Sequence, residues 1–228
     1  MSSELSFDVA GTTLTCPVVA GYNAGYTGRD QQSVQAHIAE LAEQGIGAPD
    51  TIPTLFSIPS YMNLQTTRVE VGHPRTSGEV EWALILGGTQ HPDLLTVASD
   101  HTDRALEAYD VTCAKQISPN VLADRAWRLE DVSADIDDIV LRSQVLHDGG
   151  WTVLQEGTIG DLISPLEWKD RLRESGRLQP GVVILGGTLP MIEPDHQFAD
   201  RWEVSMHRPD GDVISQSYDV HHMVASIT

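Results

Sequence analysis

Thr76-Ser77-Gly78-Glu79-Val80-Glu81-Trp82-Ala83-Leu84-Ile85-Leu86 sets two carboxylates inside what otherwise has the composition of a core strand. Side chains alternate across a strand, so Val80, Trp82, Leu84 and Leu86 fall on one face and Glu79, Glu81, Ala83 and Ile85 on the other. The two glutamates point the same way, with Cβ atoms roughly 6.6 Å apart at a rise of about 3.3 Å per residue. That is close enough for both carboxylates to reach one cation, and costly to leave together without one. A hard divalent metal would resolve the repulsion. A half-exposed edge strand with two solvated glutamates is the alternative that this stretch alone leaves open.

Working outward, Leu94-Leu95-Thr96-Val97-Ala98 reads as a second buried strand that runs into Ser99-Asp100-His101-Thr102-Asp103-Arg104. A short helix begins at Ala105, so Asp100 or Thr102 could serve as its N-cap; a strand end opening on a helix N-terminus is equally a place to present a ligand. Lys115 stands out because Lys169 is the only other lysine, and a surface charge is its plainer reading. Upstream, residues 5 to 20 read as one or two strands that end in a glycine-rich loop over 20 to 29. Val34, Ile38 and Leu41 then predict an amphipathic helix over 30 to 44, stopped by Gly45 and Gly47. His37 and Glu40 lie on its flank as neighbours able to hydrogen-bond, either a surface pair or a catalytic dyad. Residues 48 to 60, with Pro49, Pro53 and Pro59, form an extended connection.

Downstream, residues 138 to 146 and 151 to 154 predict a hairpin about Asp148-Gly149-Gly150, closed by Gln155-Glu156-Gly157. Ser164-Pro165-Leu166-Glu167 is a capping box that opens a helix running to Gly176. Val182-Val183-Ile184-Leu185 is a fully apolar strand ending at Gly186-Gly187-Thr188-Leu189-Pro190. Residues 202 to 207 and 213 to 218 flank Pro209-Asp210-Gly211 as a further hairpin. His221 and His222 belong to the surface.

The chain of 228 residues, 40% of them hydrophobic, predicts one domain, residues 1–228, with an enzyme-sized core. Its net charge of -19 excludes nucleic acid and anionic membranes as partners, because both require basic patches. No apolar run approaches the roughly 20 residues of a membrane span, and Met1-Ser2-Ser3-Glu4 lacks the features of a signal peptide; a cytoplasmic protein is expected. Cys16 and Cys113 form no metal or redox spacing and read as buried thiols rather than a disulfide.

In series these stretches resemble the fumarylacetoacetate hydrolase family, which carries a Glu-x-Glu strand and an aspartate about twenty residues downstream. Glu79, Glu81 and Asp100 match them. Asp100-His101-Thr102-Asp103-Arg104 resembles the family's Asp-x-Thr-x-Arg, and Ala114-Lys115 its Ala-Lys. His37-Ile38-Ala39-Glu40, followed by Pro53-Thr54-Leu55-Phe56, is similar to its His-x-x-Glu and proline-rich segment. Gln155-Glu156-Gly157 and the run from Pro180 to Thr188 resemble its downstream segments, so the likeness spans roughly residues 18 to 207. The asparagine-tyrosine pair before the histidine and the usual Gly-Pro after Lys115 are absent, and an extra residue follows Thr188, which marks a divergent bacterial branch.

The resemblance implies an α+β, mainly β fold, a mixed β-sandwich or roll with a few peripheral helices. Residues 1–60 would carry His37 and Glu40, and residues 61–228 the metal-binding core. It implies a homodimer and a metal site of Glu79, Glu81 and Asp100; an all-oxygen set suits Mg²⁺, Mn²⁺ or Ca²⁺ better than zinc. A 2-oxo or enol acid would chelate the metal, with Lys115 beside the developing negative charge. His37, oriented by Glu40, would be the base for a water that cleaves a carbon-carbon bond. Gln155, Thr188 and Arg104 would bind the substrate. Decarboxylation, hydration and isomerisation are alternatives on the same site, and a non-catalytic metal- or ligand-binding protein is the alternative of another class.

Overall fold

The glutamate-bearing stretch forms a strand, Val80–Ile85, in which all six residues are buried. The computed structural model describes residues 3–30, 32, 34, 35, 38, 51–89 and 91–223. In it, Val80–Ile85 has a partner on each edge. Leu94–Asp100 pairs with it antiparallel, Val80 opposite Ser99 and Ile85 opposite Leu94. Val182–Leu185 pairs antiparallel on the other side. The edge-strand alternative is thereby corrected: a strand paired on both sides has no open edge for solvated glutamates.

Both faces are covered, which explains why the strand is nearly continuous in apolar residues. Val80, Trp82, Leu84 and Leu86 enter one core cluster with Leu141, Val182, Ile184, Val204 and Met206. Ala83 and Ile85 enter a second with Leu5, Phe7, Cys16 and Val18. The alternation read from the sequence is the alternation of the two cores. Leu84, Ile85, Leu94 and Leu95 are fully buried, and each such side chain contributes about 1.5 to 3 kcal/mol.

The central sheet follows the order Thr54–Ile58, Ala20–Gly25, Val182–Leu185, Val80–Ile85, Leu94–Asp100, Asn120–Leu122, Asn63–Leu64, with Trp127–Arg128 also paired to Leu94–Asp100. A second sheet, ordered Gly150–Thr158, Val140–His147, Arg201–His207, Val213–His222, Arg68–Val71, packs on the Trp82 face. The hairpin of Ser3–Val9 and Thr12–Val18 covers the opposite face. The result is mainly β, with short helices at Arg104–Glu107, Val111–Ile117 and Leu129–Val132 and a longer one at Pro165–Glu174.

The central sheet curls. Asn23 and Asn120 lie on strands that are four spacings apart in the sheet order, about 19 Å if the sheet were flat. Their side chains nevertheless exchange two hydrogen bonds of 2.9 and 2.8 Å. Asn120 Nδ2 also donates to Asn63 Oδ1 at 3.0 Å. The three buried amides close a seam between the two ends of the sheet, and their mutual bonds offset the cost of burying them.

Several sequence expectations are corrected in detail. The glycine-rich 20 to 29 segment is not all loop: Ala20–Gly25 is a strand, parallel to Val182–Leu185. Gly21 and Gly25 are there for close approach, since a Cβ would lie 2.7 Å from the Asn63 side chain at the first and 2.7 Å from the Phe56 ring at the second. Gln155 does not close a hairpin, because its strand continues to Thr158. Neither Asp100 nor Thr102 caps the helix Arg104–Glu107; Asp103 does, accepting from the N–H groups of Ala105 and Leu106. Ser164 accepts from Glu167 N at the start of Pro165–Glu174 as expected, and that helix ends two residues before Gly176. Cys113 is exposed rather than buried. Of the 30 to 44 segment, residues 32, 34, 35 and 38 are helical and Val34 is buried; the glycine stop lies outside the described residues. Among the described residues no helix is long and apolar enough to cross a membrane.

Candidate functional site

Two adjacent core strands carry the acidic cluster. Asp100 N donates to Glu79 O at 3.0 Å, which sets Asp100 opposite Glu79 at the end of the Val80–Ile85 and Leu94–Asp100 ladder. Glu79, Glu81 and Asp100 each offer an oxygen, and these oxygens lie within 4.8 Å of one another. Glu81 is 1% and Asp100 0% exposed, so water does little to screen their repulsion.

The protein's own countercharges are arranged around this cluster. Lys115, on the helix Val111–Ile117, reaches Asp100 Oδ2 and lies 3.4 Å from Glu79 Oε2. Arg104 Nη2 meets Glu79 Oε1 at 2.8 Å, while its Nε donates to Ser77 Oγ at 2.6 Å and its Nη1 to Glu107 Oε2 at 2.8 Å. Gly187 N–H donates to Glu81 Oε2 at 2.7 Å. Burial pushes the Glu79 carboxyl up, but the charges of Arg104 and Lys115 outweigh it and hold Glu79 at about 2. Burial and the neighbouring Asp100 push Glu81 well above the usual carboxylate range. Burial works against the Lys115 ammonium, yet Asp100, Glu79 and Glu81 keep it charged and raise it above its ordinary value.

The cluster fits a hard divalent cation on its donor chemistry: three carboxylate oxygens, no nitrogen or sulfur, and one carboxylate whose charge the protein does not neutralise.

The structure brings Glu79, Glu81, Asp100, Lys115 and Arg104 together. Lys115 is a buried charge, not the surface charge that was its plainer reading. Gln155 and Thr188 also meet, and the protein itself engages every polar atom of the Gln155 side chain. It is fully buried, its Oε1 accepts from Val80 N at 3.0 Å and Ser143 Oγ at 2.9 Å, and its Nε2 donates to Thr188 Oγ1 at 2.8 Å and Leu189 O at 2.6 Å. With both amide hydrogens and both lone pairs engaged, it positions Thr188. Thr188 Oγ1 donates to Val80 O at 2.8 Å, which pins the Gly187-Thr188 turn against the Glu81 strand. Arg104 is likewise spent on protein partners. His37 and Glu40 lie outside the described residues.

Sequence reasoning missed a line of buried hydrogen bonds behind the cluster. Thr76 Oγ1 and His101 Nε2 are 2.9 Å apart, His101 Nδ1 and Tyr218 OH 3.1 Å, and Tyr218 OH and Ser99 Oγ 2.8 Å; Ser99 Oγ accepts from Glu79 N at 3.3 Å. Tyr218 comes from the second sheet, so this line ties the acidic edge to both layers. A histidine immediately after Asp100 was the one local signal. Tyr218, more than a hundred residues away, gave none.

Burial, with Arg104 nearby, holds His101 down at about 3, so it is neutral in the native protein. It takes its proton on unfolding. The penalty is absent above pH about 6.5, grows as pH falls and levels off near the folded value, reaching about 2 kcal/mol at pH 5. Denaturant unfolding at pH 7 and pH 5 should show wild type losing about 2 kcal/mol more than His101→Gln. Equal losses would mean that His101 is charged in the native state.

Comparison with solved structures returns the fold read from the sequence. A candidate fumarylpyruvate hydrolase from Burkholderia cenocepacia aligns with TM-score 0.63 and 16% identity, over 98% of this chain and 97% of that one. A 2-keto-3-deoxy-D-arabinonate dehydratase complexed with magnesium and 2,5-dioxopentanoate aligns with TM-score 0.63 and 13% identity, over 92% and 76%. A maleylpyruvate hydrolase from Sphingobium sp. SYK-6, in complex with manganese (II) ion and pyruvate, aligns with TM-score 0.56 and 14% identity, over 89% and 70%. The fold is thus that of the fumarylacetoacetate hydrolase-like enzymes. Comparison with curated proteins returns no match. A family model matches residues 24–218, a span that holds the acidic cluster, its countercharges and the Thr76-to-Ser99 line, and the chain belongs to that family, described as "Protein of unknown function (DUF2848)".

Proposed function

We propose that this protein is a metal-dependent enzyme that cleaves a carbon-carbon bond in a 2-oxo or enol acid by hydrolysis. The observation that carries the reading is the convergence of Glu79, Glu81 and Asp100 within 4.8 Å in a buried setting, in a fold shared with a dehydratase whose structure holds magnesium and a maleylpyruvate hydrolase whose structure holds manganese. Mg²⁺ or Mn²⁺ held by these three carboxylates would supply chelation and Lewis-acid polarisation of the 2-oxo acid.

The chain's own groups do the rest. Lys115, fixed against Asp100, presents a preorganised positive charge to the oxygen on which negative charge develops. Arg104 and Gly187 N–H hold Glu79 and Glu81 in place, and Gln155 keeps the Thr188 turn over the site. His37, oriented by Glu40, takes the proton of the attacking water; these two are assigned on their sequence spacing.

The test is turnover of acylpyruvates, oxaloacetate and unsaturated 2-hydroxy acids with Mg²⁺ or Mn²⁺, in wild type and His37→Ala. Turnover should require metal, and the variant should keep metal binding while its chemical step falls by about 10² to 10⁴, the usual contribution of a positioned base. Metal-dependent turnover undiminished in His37→Ala would remove the base and favour decarboxylation, which needs no attacking water. Ligand binding without turnover of any of these compounds would make the protein a binder.

A further inference from the structure

Starting from the metal site of the proposed function, we infer that Lys115 sets how firmly that site holds its ion: its ammonium is a positive charge built in among the ligands, and it keeps Mg²⁺ or Mn²⁺ exchangeable with solution.

The ammonium is placed as a cation among the carboxylates. It reaches Asp100 Oδ2 and lies 3.4 Å from Glu79 Oε2, and its charge is felt by Glu81 as well. Arg104 meets only Glu79 of the three, and the Gly187 N–H only Glu81. Among the described residues Lys115 is therefore the one charged group that bridges two of the acids. Oxygens of all three carboxylates lie within 4.8 Å of one another, so a metal ion held by them has to share its ligands with Lys115.

The side chain is not free to step aside. Lys115 is 6% exposed, and its ammonium reaches no water unless the helix Val111–Ile117 moves with it. That helix is tied down at both ends: Asp110 accepts from Cys113 N at 2.9 Å at its start, and near its finish Gln116 Nε2 donates to Ser57 O at 2.7 Å, on the strand Thr54–Ile58. Ala114, next to Lys115, is fully buried.

Two effects of Lys115 on the ion oppose one another. By holding Asp100 and Glu79 it orients ligands, and losing an orienting partner typically costs metal affinity. By its charge it repels the ion. Even at the dielectric of bulk water, a divalent ion and a unit positive charge roughly 5 Å apart repel by an amount worth about tenfold in affinity, and a buried setting screens less. Arg104 and the Gly187 N–H continue to hold Glu79 and Glu81 without Lys115, so the charge effect is the larger of the two.

The test is calorimetric titration of Mn²⁺ alone into metal-stripped wild type, Lys115→Met, Lys115→Gln and Lys169→Met, at pH 8 and about 0.15 M salt, where the reach of distant charges is limited to about 8 Å. Lys115→Met removes the charge, and Lys115→Gln removes it while keeping a hydrogen-bond donor. Both should bind Mn²⁺ at least about tenfold more tightly than wild type. Lys169, paired with Asp93 at 2.6 Å, is the other lysine of the chain; its replacement changes the net charge by the same unit and should leave the affinity within about twofold. A Lys115 variant that is unfolded without metal should fold as Mn²⁺ is added, because the ion then supplies the missing positive charge. Equal or weaker binding by the Lys115 variants, an equal gain in Lys169→Met, or a Lys115 variant that stays unfolded at millimolar Mn²⁺ overturns the inference and leaves the proposed function standing. Failure of wild type to bind Mn²⁺ overturns the proposed function and the inference with it.

Discussion

Replacing Glu81 by glutamine should lower Mg²⁺ or Mn²⁺ affinity more than the 10- to 100-fold typical of losing an outer-shell partner, and raise the melting temperature of the metal-free protein. The two effects share one cause. Glu81 is 1% exposed beside Asp100 at 0%, and without a divalent ion burial and Asp100 disfavour its charged form, so that folding must supply it with a proton. Glutamine keeps an oxygen for the Gly187 N–H, now 2.7 Å from Glu81 Oε2, and is neutral without that proton. Relief of about 1 to 3 kcal/mol should raise the melting temperature by several degrees, at about 2 to 4 °C per kcal/mol for a chain of this size. Calorimetry with each metal and thermal melts without it give both readings. Unchanged metal affinity would move the site elsewhere. A lower metal-free melting temperature would mean that the Glu81 charge is fully compensated within the protein.

Gly186→Ala should destabilise the protein by about 3 kcal/mol or more, a drop of roughly 6 to 12 °C. A Cβ there would lie 1.9 Å from Trp82 Cε2, with two further ring atoms at 2.3 and 2.4 Å. Trp82 is 0% exposed and packed in the larger core, so its ring has no space to yield. The neighbouring Gly187 N–H would be displaced from Glu81, and metal affinity should fall with stability. Gly211→Ala is the control, since Gly211 has φ +91 but nothing within 4 Å of an added Cβ; it should cost only about 1 to 2 kcal/mol of backbone strain. Thermal melts of the two variants decide the matter, and losses of similar size would mean that the Trp82 contact is relieved by a small backbone shift.

What could be read in advance depended on how far the information travels along the chain. The strands around Trp82 and Leu95 were legible because alternation and apolar runs are local, and the acidic residues because charge within such a run is conspicuous. The partner edges of Val80–Ile85 were not, and for that reason the stretch alone allowed solvated glutamates. Ala20–Gly25 read as loop because glycine lowers strand propensity, whereas tertiary contact with Asn63 and Phe56 requires small residues there. Asp103 displaced two earlier candidates, Asp100 and Thr102, as helix cap because the strand runs on through Asp100. The hydrogen bonds of Gln155 were not legible, because its partners Val80, Ser143 and Leu189 come from three segments that no local pattern connects. The His101–Tyr218 contact is of the same kind.

The amide seam has a consequence for the order in which the molecule forms. Glu79 and Ser99, whose contact places Asp100, are 20 residues apart, whereas Asn23 and Asn120 are separated by 97. Loop-closure entropy makes the longer connection harder to form by about 1.4 kcal/mol, so the hairpin that gathers the carboxylates can form well before the sheet curls shut. The carboxylates are thus gathered by a contact that is entropically cheaper than the one that closes the sheet.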